Sequence, residues 1–188
     1  MKIFFTVSIQ GRQYFEKNYQ KITDFLEDEG YENNNKSFLV GKISKKGKEK
    51  ILKDSEYIHQ NKQLLEKVHQ ADLCIFECSH NSLTVGLLIE KALGLEKPVI
   101  VLHLSGHKPK FLIGLENDKF QLVEYQEKNL TKNLREAITK ASVLVDKRFN
   151  FFVSSSMLAY LNNVSRKLGV TKSTFIRNLI KEYKKKNH

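Results

Sequence analysis

Residues 71–102 read ADLCIFECSHNSLTVGLLIEKALGLEKPVIVL, and the changes of texture within this stretch decide the fold. Leu73 to Cys78 is a short apolar run, followed by the polar loop Ser79-His80-Asn81-Ser82. Leu87, Ile89, Ala92 and Leu93 then recur at helical spacing until Gly94, and Pro98 to Leu102 returns to an unbroken apolar run. Near-continuous Val and Ile runs belong to parallel strands covered on both faces, so the stretch reads as strand, loop, helix, strand. Cys74 and Cys78, the only cysteines, fall on one face of the first strand and read as buried apolar fillers.

The same texture extends in both directions. Ile3 to Ser8 is a β-rich run, the turn Gln10-Gly11-Arg12 follows, and a helix is predicted from about Gln13 to Glu29, stopping at Gly30. Asn33 to Lys53 is polar, lysine-rich and without clear period; its cluster Lys42 to Lys53 could approach phosphates, but a solvated loop is the commoner reading of such a run. A helix from about Ser55 to Gln70 carries Ile58, Leu64, Leu65 and Val68. Phe120 to Tyr125 is a further strand and Leu130 to Val145 a closing helix. Strands separated by helices predict an α/β fold with a doubly wound, mainly parallel sheet over residues 1–146. Ligands of such sheets bind at loops leaving the C-terminal strand ends, here Val7 to Arg12 and Ser79 to Gly86. Both loops suit an anion, because backbone N–H groups gather at a helix N-terminus; the bland alternative is that their Ser and Gly residues only make turns and caps. Tyr14 and Phe15 stand where they would close a sugar or base site, but their helical spacing equally suits a core.

Charge divides the chain. The whole carries a formal net charge of +11. Residues 147–188 hold ten Lys or Arg against the single acid Glu182, a net of +9, whereas the first 146 residues balance to +2. That asymmetry predicts a polyanionic partner for the C-terminal segment. The N-terminal MKIFFTVSIQGR reaches a polar turn too soon to resemble a signal peptide, and no apolar run approaches a membrane span, so a cytoplasmic location without membrane contact is expected. His59, His69, His80 and His103 read as non-ligating; neither a metal nor a cofactor is expected.

The string from Ala71 through Asp72, Glu77, Ser79, Asn81 and Ser82 to Gly86, continuing to Ala92 and Lys97-Pro98-Val99, resembles the nucleoside 2-deoxyribosyltransferase superfamily, particularly its 2'-deoxynucleoside 5'-phosphate N-hydrolases. The opening Phe5-Thr6-Val7-Ser8-Ile9-Gln10-Gly11 is similar to that family's first phosphate-side loop. The resemblance implies a dimer that holds a nucleotide over the strand ends. It carries a deoxynucleoside monophosphate site onto Ser8, Ile9, Gln10, Gly11, Ser79, Asn81, Ser82 and Gly86. It also implies a catalytic glutamate two residues beyond Gly86 and an aspartate about seven before Ala71. Those positions are Leu88 and Leu64, with Gln63 and Asn61 as the polar neighbours of the latter. Leucine can neither attack the sugar carbon nor stabilise developing positive charge, so no catalytic residue is assigned and a degenerate site is expected. Glu90 and Glu77 are the fallback acids. Glu90 stands about 200° around the helix from Leu88 and needs a rotated or slipped helix to substitute. Glu77 reads better as a strand-end residue facing loop N–H groups.

Beyond Val145, Lys147 to Val153 is a compact β-run in which Phe149, Phe151 and Val153 share one face and Arg148, Asn150 and Phe152 the other. Ser154 to Ser156 offer N-caps for a helix carrying Leu158, Leu161, Val164 and Leu168, which Gly169 breaks. Thr171 or Ser173 caps a second helix with Phe175, Ile176, Leu179, Ile180 and Tyr183 on its apolar side. One strand and two short helices cannot bury their apolar faces alone, so two copies must intertwine. This order resembles the ribbon-helix-helix family of Arc and MetJ type repressors, most closely in Leu168 to Ser173, Ile176-Arg177 and Glu182-Tyr183. The resemblance implies that a paired ribbon enters the major groove of double-stranded DNA with Arg148, Asn150 and Phe152 outward, while Thr171, Lys172 and Ser173 hold a backbone phosphate. Phe152 departs from the polar residue usual there. A ribbon serving only dimerisation is the bland alternative.

The leading expectation is a DNA-binding transcriptional regulator, a homodimer or higher homo-oligomer, with a 1–146 domain that senses a nucleotide and a 147–188 domain that dimerises and binds DNA. The competing expectations are an active deoxynucleotide N-hydrolase or deoxyribosyltransferase with a DNA-binding tail, and a non-catalytic assembly protein.

Overall fold

A computed structural model describes residues 1–36, 53–145 and 151–187. The chain divides into two compact units, Met1–Asp146 and Lys147–His188. No helix among the described residues is long and apolar enough to cross a membrane.

In the first unit the β-rich runs become the strands β1 (Lys2–Val7), β3 (Leu73–Glu77), β4 (Val99–Leu104) and β5 (Phe120–Tyr125). A two-residue strand, β2 (Glu32–Asn33), was not anticipated, because it is polar and exists only by pairing with Lys2 and Ile3. The sheet runs β2-β1-β3-β4-β5 and is parallel throughout. Among the described residues four helices cover it: α1 (Arg12–Asp28), α2 (Asp54–Gln70), α3 (Leu83–Gly94) and α4 (Leu130–Ser142). The chain reverses its direction of winding between β1 and β3, which are hydrogen-bonded neighbours, so a crevice opens above their C-terminal ends.

Strand alternation sends successive side chains to two cores. Ile3, Phe5, Leu73, Ile75, Ile100 and Leu102 pack against α1 and α4. Phe4, Cys74, Phe76, Cys78, Val99 and Val101 pack against α2 and α3. Both cysteines are free and buried on that second face, and burial pushes the Cys74 thiol up to about 12. The helix α2 buries Leu64 and Val68 but leaves Ile58 and Leu65 exposed. Helix α1 stops as expected before Gly30, whose φ of 72° suits a residue without Cβ.

The second unit holds α5 (Ser155–Leu168) and α6 (Lys172–Lys186). Ser154 caps α5 by accepting a hydrogen bond from the Met157 N–H at 3.2 Å, and Thr171, rather than Ser173, caps α6 through the Thr174 N–H at 3.1 Å. Between them Gly169 adopts the left-handed conformation, φ 64°, and the Val170 N–H closes onto the Ser165 carbonyl. The predicted strand is not formed by residues 151–153 of the single chain, as a ribbon without a second strand has no ladder partner. Its reading residues Arg148 and Asn150 lie outside the described residues, and Phe152 is fully exposed. Ser154→Ala is expected to cost about 1 kcal/mol, read as a lower urea midpoint at constant m; an unchanged midpoint would show that the cap contributes nothing.

Candidate functional site

The two loops of the crevice are built against each other. Leaving β1, the chain turns so tightly that the Gly11 N–H donates to the Ser8 carbonyl at 3.1 Å and reaches Ser8 Oγ at 3.3 Å. The Ser8 hydroxyl also lies 3.1 Å from His80 Nδ1 in the loop after β3. His80 stacks on Tyr14 of α1 with ring centroids 6.2 Å apart. At the other end of that loop Ser82 caps α3, accepting from the Val85 N–H at 3.4 Å. Tyr14 is therefore an exposed buttress of the loop, while Phe15 is buried and meets His107 edge-on.

A cavity of about 330 Å³ lies between the loops, within the range typical of small-molecule pockets. Of the residues predicted to bind a nucleotide, Ser8, Ile9, Gln10, Asn81 and Ser82 line it. Gly11 and Ser79 are buried and are not in its wall, and Gly86 faces elsewhere. The wall contains no Lys or Arg among the described residues; Leu83, Thr84 and Val85 of the first turn of α3 form one side of it. The positive end of that helix dipole therefore faces the cavity. Thr6 and Thr84 also line it, and sequence reading did not single them out. Thr6 was hidden inside an apolar strand, whereas the position of Thr84 two residues after a cap was a usable signal.

Leu64 and Leu88 come together in this wall from α2 and α3, only 7% and 5% exposed. Glu90 does not reach it. That side chain is 73% exposed, 4.0 Å from Lys91, and borders a second cavity of about 650 Å³ on the outer side of α3. Leu83, Leu87, Leu93 and Phe111 line that larger space, and Gly86 floors it beneath the Phe111 ring. Asn81 and Ser82 border that larger cavity as well, so Glu90 shares it with the end of the loop but stays outside the cavity that holds Leu64 and Leu88.

Glu77 lies on the opposite face of β3 from Phe76 and Cys78 and is fully buried. Its carboxylate accepts from the Tyr125 hydroxyl at 2.9 Å, from the Ser79 N–H at 3.3 Å and from the Ser79 hydroxyl. Burial raises its pKa, and the hydrogen bonds from Ser79 and Tyr125 oppose the rise. Glu77 lines neither cavity. His103 and His107 stand four residues apart, yet His103 is buried on β4 and His107 packs on Phe15. Among the described residues no group of three or more His, Cys, Asp or Glu is placed to hold a metal ion.

In the second unit Thr171 and Lys172 sit at the start of α6, with Lys172 Nζ 2.9 Å from Asn162 Oδ1, and Ser173 lies exposed beside them. Leu168, Leu179, Ile180 and Tyr183 are left exposed, and a cavity of about 290 Å³ runs between the helices past Val170 and Phe175.

No protein-family model matches the chain, and no curated protein does. Among solved structures the chain is similar to a CMP N-glycosidase, BcmB, from Clostridium botulinum, with a TM-score of 0.48 and 14% identity over 74% of this chain and 98% of that one.

Proposed function

We propose that this protein is a homodimeric DNA-binding regulator whose α/β unit binds a deoxynucleoside monophosphate without cleaving it. The observation that carries most is the segregation of charge onto a unit of two capped helices: residues 147–188 hold a net +9 of the chain's +11. Exposed apolar side chains on α5 and α6, among them Leu158, Leu179 and Ile180, call for a second copy to cover them. In that dimer the segments 147–153 pair as a ribbon and present Arg148 and Asn150 to base edges, while the first turn of α6 meets a phosphate.

The ligand half of the reading rests on Leu64 and Leu88. Both stand in the wall of the loop cavity, where glycosidic cleavage would need groups able to carry charge. A helix N-terminus and the hydroxyls of Thr6, Thr84 and Ser82 suit a phosphate and a sugar there. The test is calorimetric titration of the full chain with the four 2'-deoxynucleoside 5'-monophosphates, with chromatography of the same samples for free base. Saturable binding without base release is the expected result. Base release that is abolished by Glu90→Gln would overturn it and establish a hydrolase instead.

A further inference from the structure

Glu77 links by side-chain hydrogen bonds elements that the sheet ladder and the core also hold together. Ser79, whose hydroxyl it accepts from, itself accepts from the Leu104 N–H of β4 at 2.7 Å. Tyr125 of β5, the other donor, accepts from Asn18 Nδ2 of α1 at 3.3 Å. One carboxylate therefore gathers α1, β4, β5 and the first residue of the loop between β3 and α3. A buried carboxylate is a poor choice for stability alone, because desolvation works against its charged form and an apolar side chain of similar size packs without that penalty. The raised pKa of Glu77 has that same cause.

Downstream of the carboxylate lies the cavity. Ser79 is held at one end of a four-residue loop, and Ser82 is held at the other by its cap on α3. Between them His80 is tied to Ser8, and Asn81 and Ser82 stand in the cavity wall. We propose that Glu77 is a positioning residue for this cavity: through Ser79 it fixes the loop that carries Asn81 and Ser82. The inference rests on the reading of the cavity as a nucleotide site, which it deepens by naming the group that sets the geometry of one wall.

Glutamine at 77 keeps the shape but not the accepting capacity. Its single oxygen serves at most two of the three donors from Ser79 and Tyr125, and its amide N–H groups confront the third. The experiment compares wild type, Glu77→Gln, Tyr125→Phe and the core variant Ile138→Val, which lies on the same sheet face away from the loops. Each full chain is titrated with the four deoxynucleoside monophosphates, melted, and followed by amide hydrogen exchange. Glu77→Gln is expected to weaken binding about tenfold and to speed exchange at residues 79–83, with Tyr125→Phe acting in the same direction. Ile138→Val should lower Tm while leaving affinity and loop exchange as in wild type. Affinity that merely tracks Tm across the variants, or loop exchange unmoved by Glu77→Gln, overturns the positioning role. If wild type binds none of the four nucleotides, the nucleotide reading fails, and the exchange at residues 79–83 still decides whether Glu77 holds the loop.

Discussion

Removal of residues 147–188 is expected to lower affinity for duplex DNA by about three orders of magnitude at low salt, because phosphate neutralisation supplies most of non-specific binding. What remains, Met1–Asp146, is compact in its own right and nearly charge-balanced, so it offers a polyanion little. For the full chain, if the paired basic units neutralise about 6 to 10 phosphates, affinity falls about 10³- to 10⁵-fold between 50 and 200 mM salt. Selection of duplexes from a random pool, with residues 1–146 as control and salt varied, measures both. A recovered motif with two half-sites is expected, and Arg148→Ala with Asn150→Ala should relax the preference while sedimentation still reports a dimer. A truncated chain that binds with the wild-type salt slope would place the polyanion site on the α/β unit and sink the regulatory reading.

The second large effect is expected from Gly11→Ala. Gly11 has ordinary helical dihedrals, φ −68° and ψ −17°, so backbone freedom is not what this position needs. Space is. A Cβ there would stand 2.8 Å from the Cβ of His80 and would also run into the Tyr19 hydroxyl. Neither neighbour is free to yield, since Tyr19 is buried in the α1 core and His80 is held between Ser8 and Tyr14. Overpacking of this kind costs about 1 to 3 kcal/mol. Relief comes most readily by parting the two loops, so cavity binding should be lost along with stability. Chemical denaturation and nucleotide titration of the variant check this; wild-type stability would mean that the loops part without resistance.

Much of the α/β unit was legible from local pattern. Apolar runs of strand length and helices ending near Gly30 and Gly94 are local decisions, as are the caps of the second unit at Ser154 and Thr171, governed by burial periodicity and by the valence of nearby backbone groups. The boundary that slipped did so where local signals compete: α4 ends at Ser142 rather than Val145. The strand β2 was illegible because two polar residues carry no periodicity, and only β1 makes them a strand.

The site divides in the same way. Sequence by itself determined the parallel α/β class, the placing of polar loops after β1 and β3, the concentration of charge beyond residue 146, and the presence of leucine at 64 and 88, because composition, period and spacing are properties of the chain alone. Only the tertiary structure decided which of the loop residues share a cavity. It turned Gly86 and Glu90 to the outer side of α3, set Leu64 beside Leu88, and gave Glu77 its partner Tyr125 from 48 residues away. The physical reason is that facing depends on the rotation of each helix against the sheet, and that rotation is set by the packing of both cores at once rather than by any one segment.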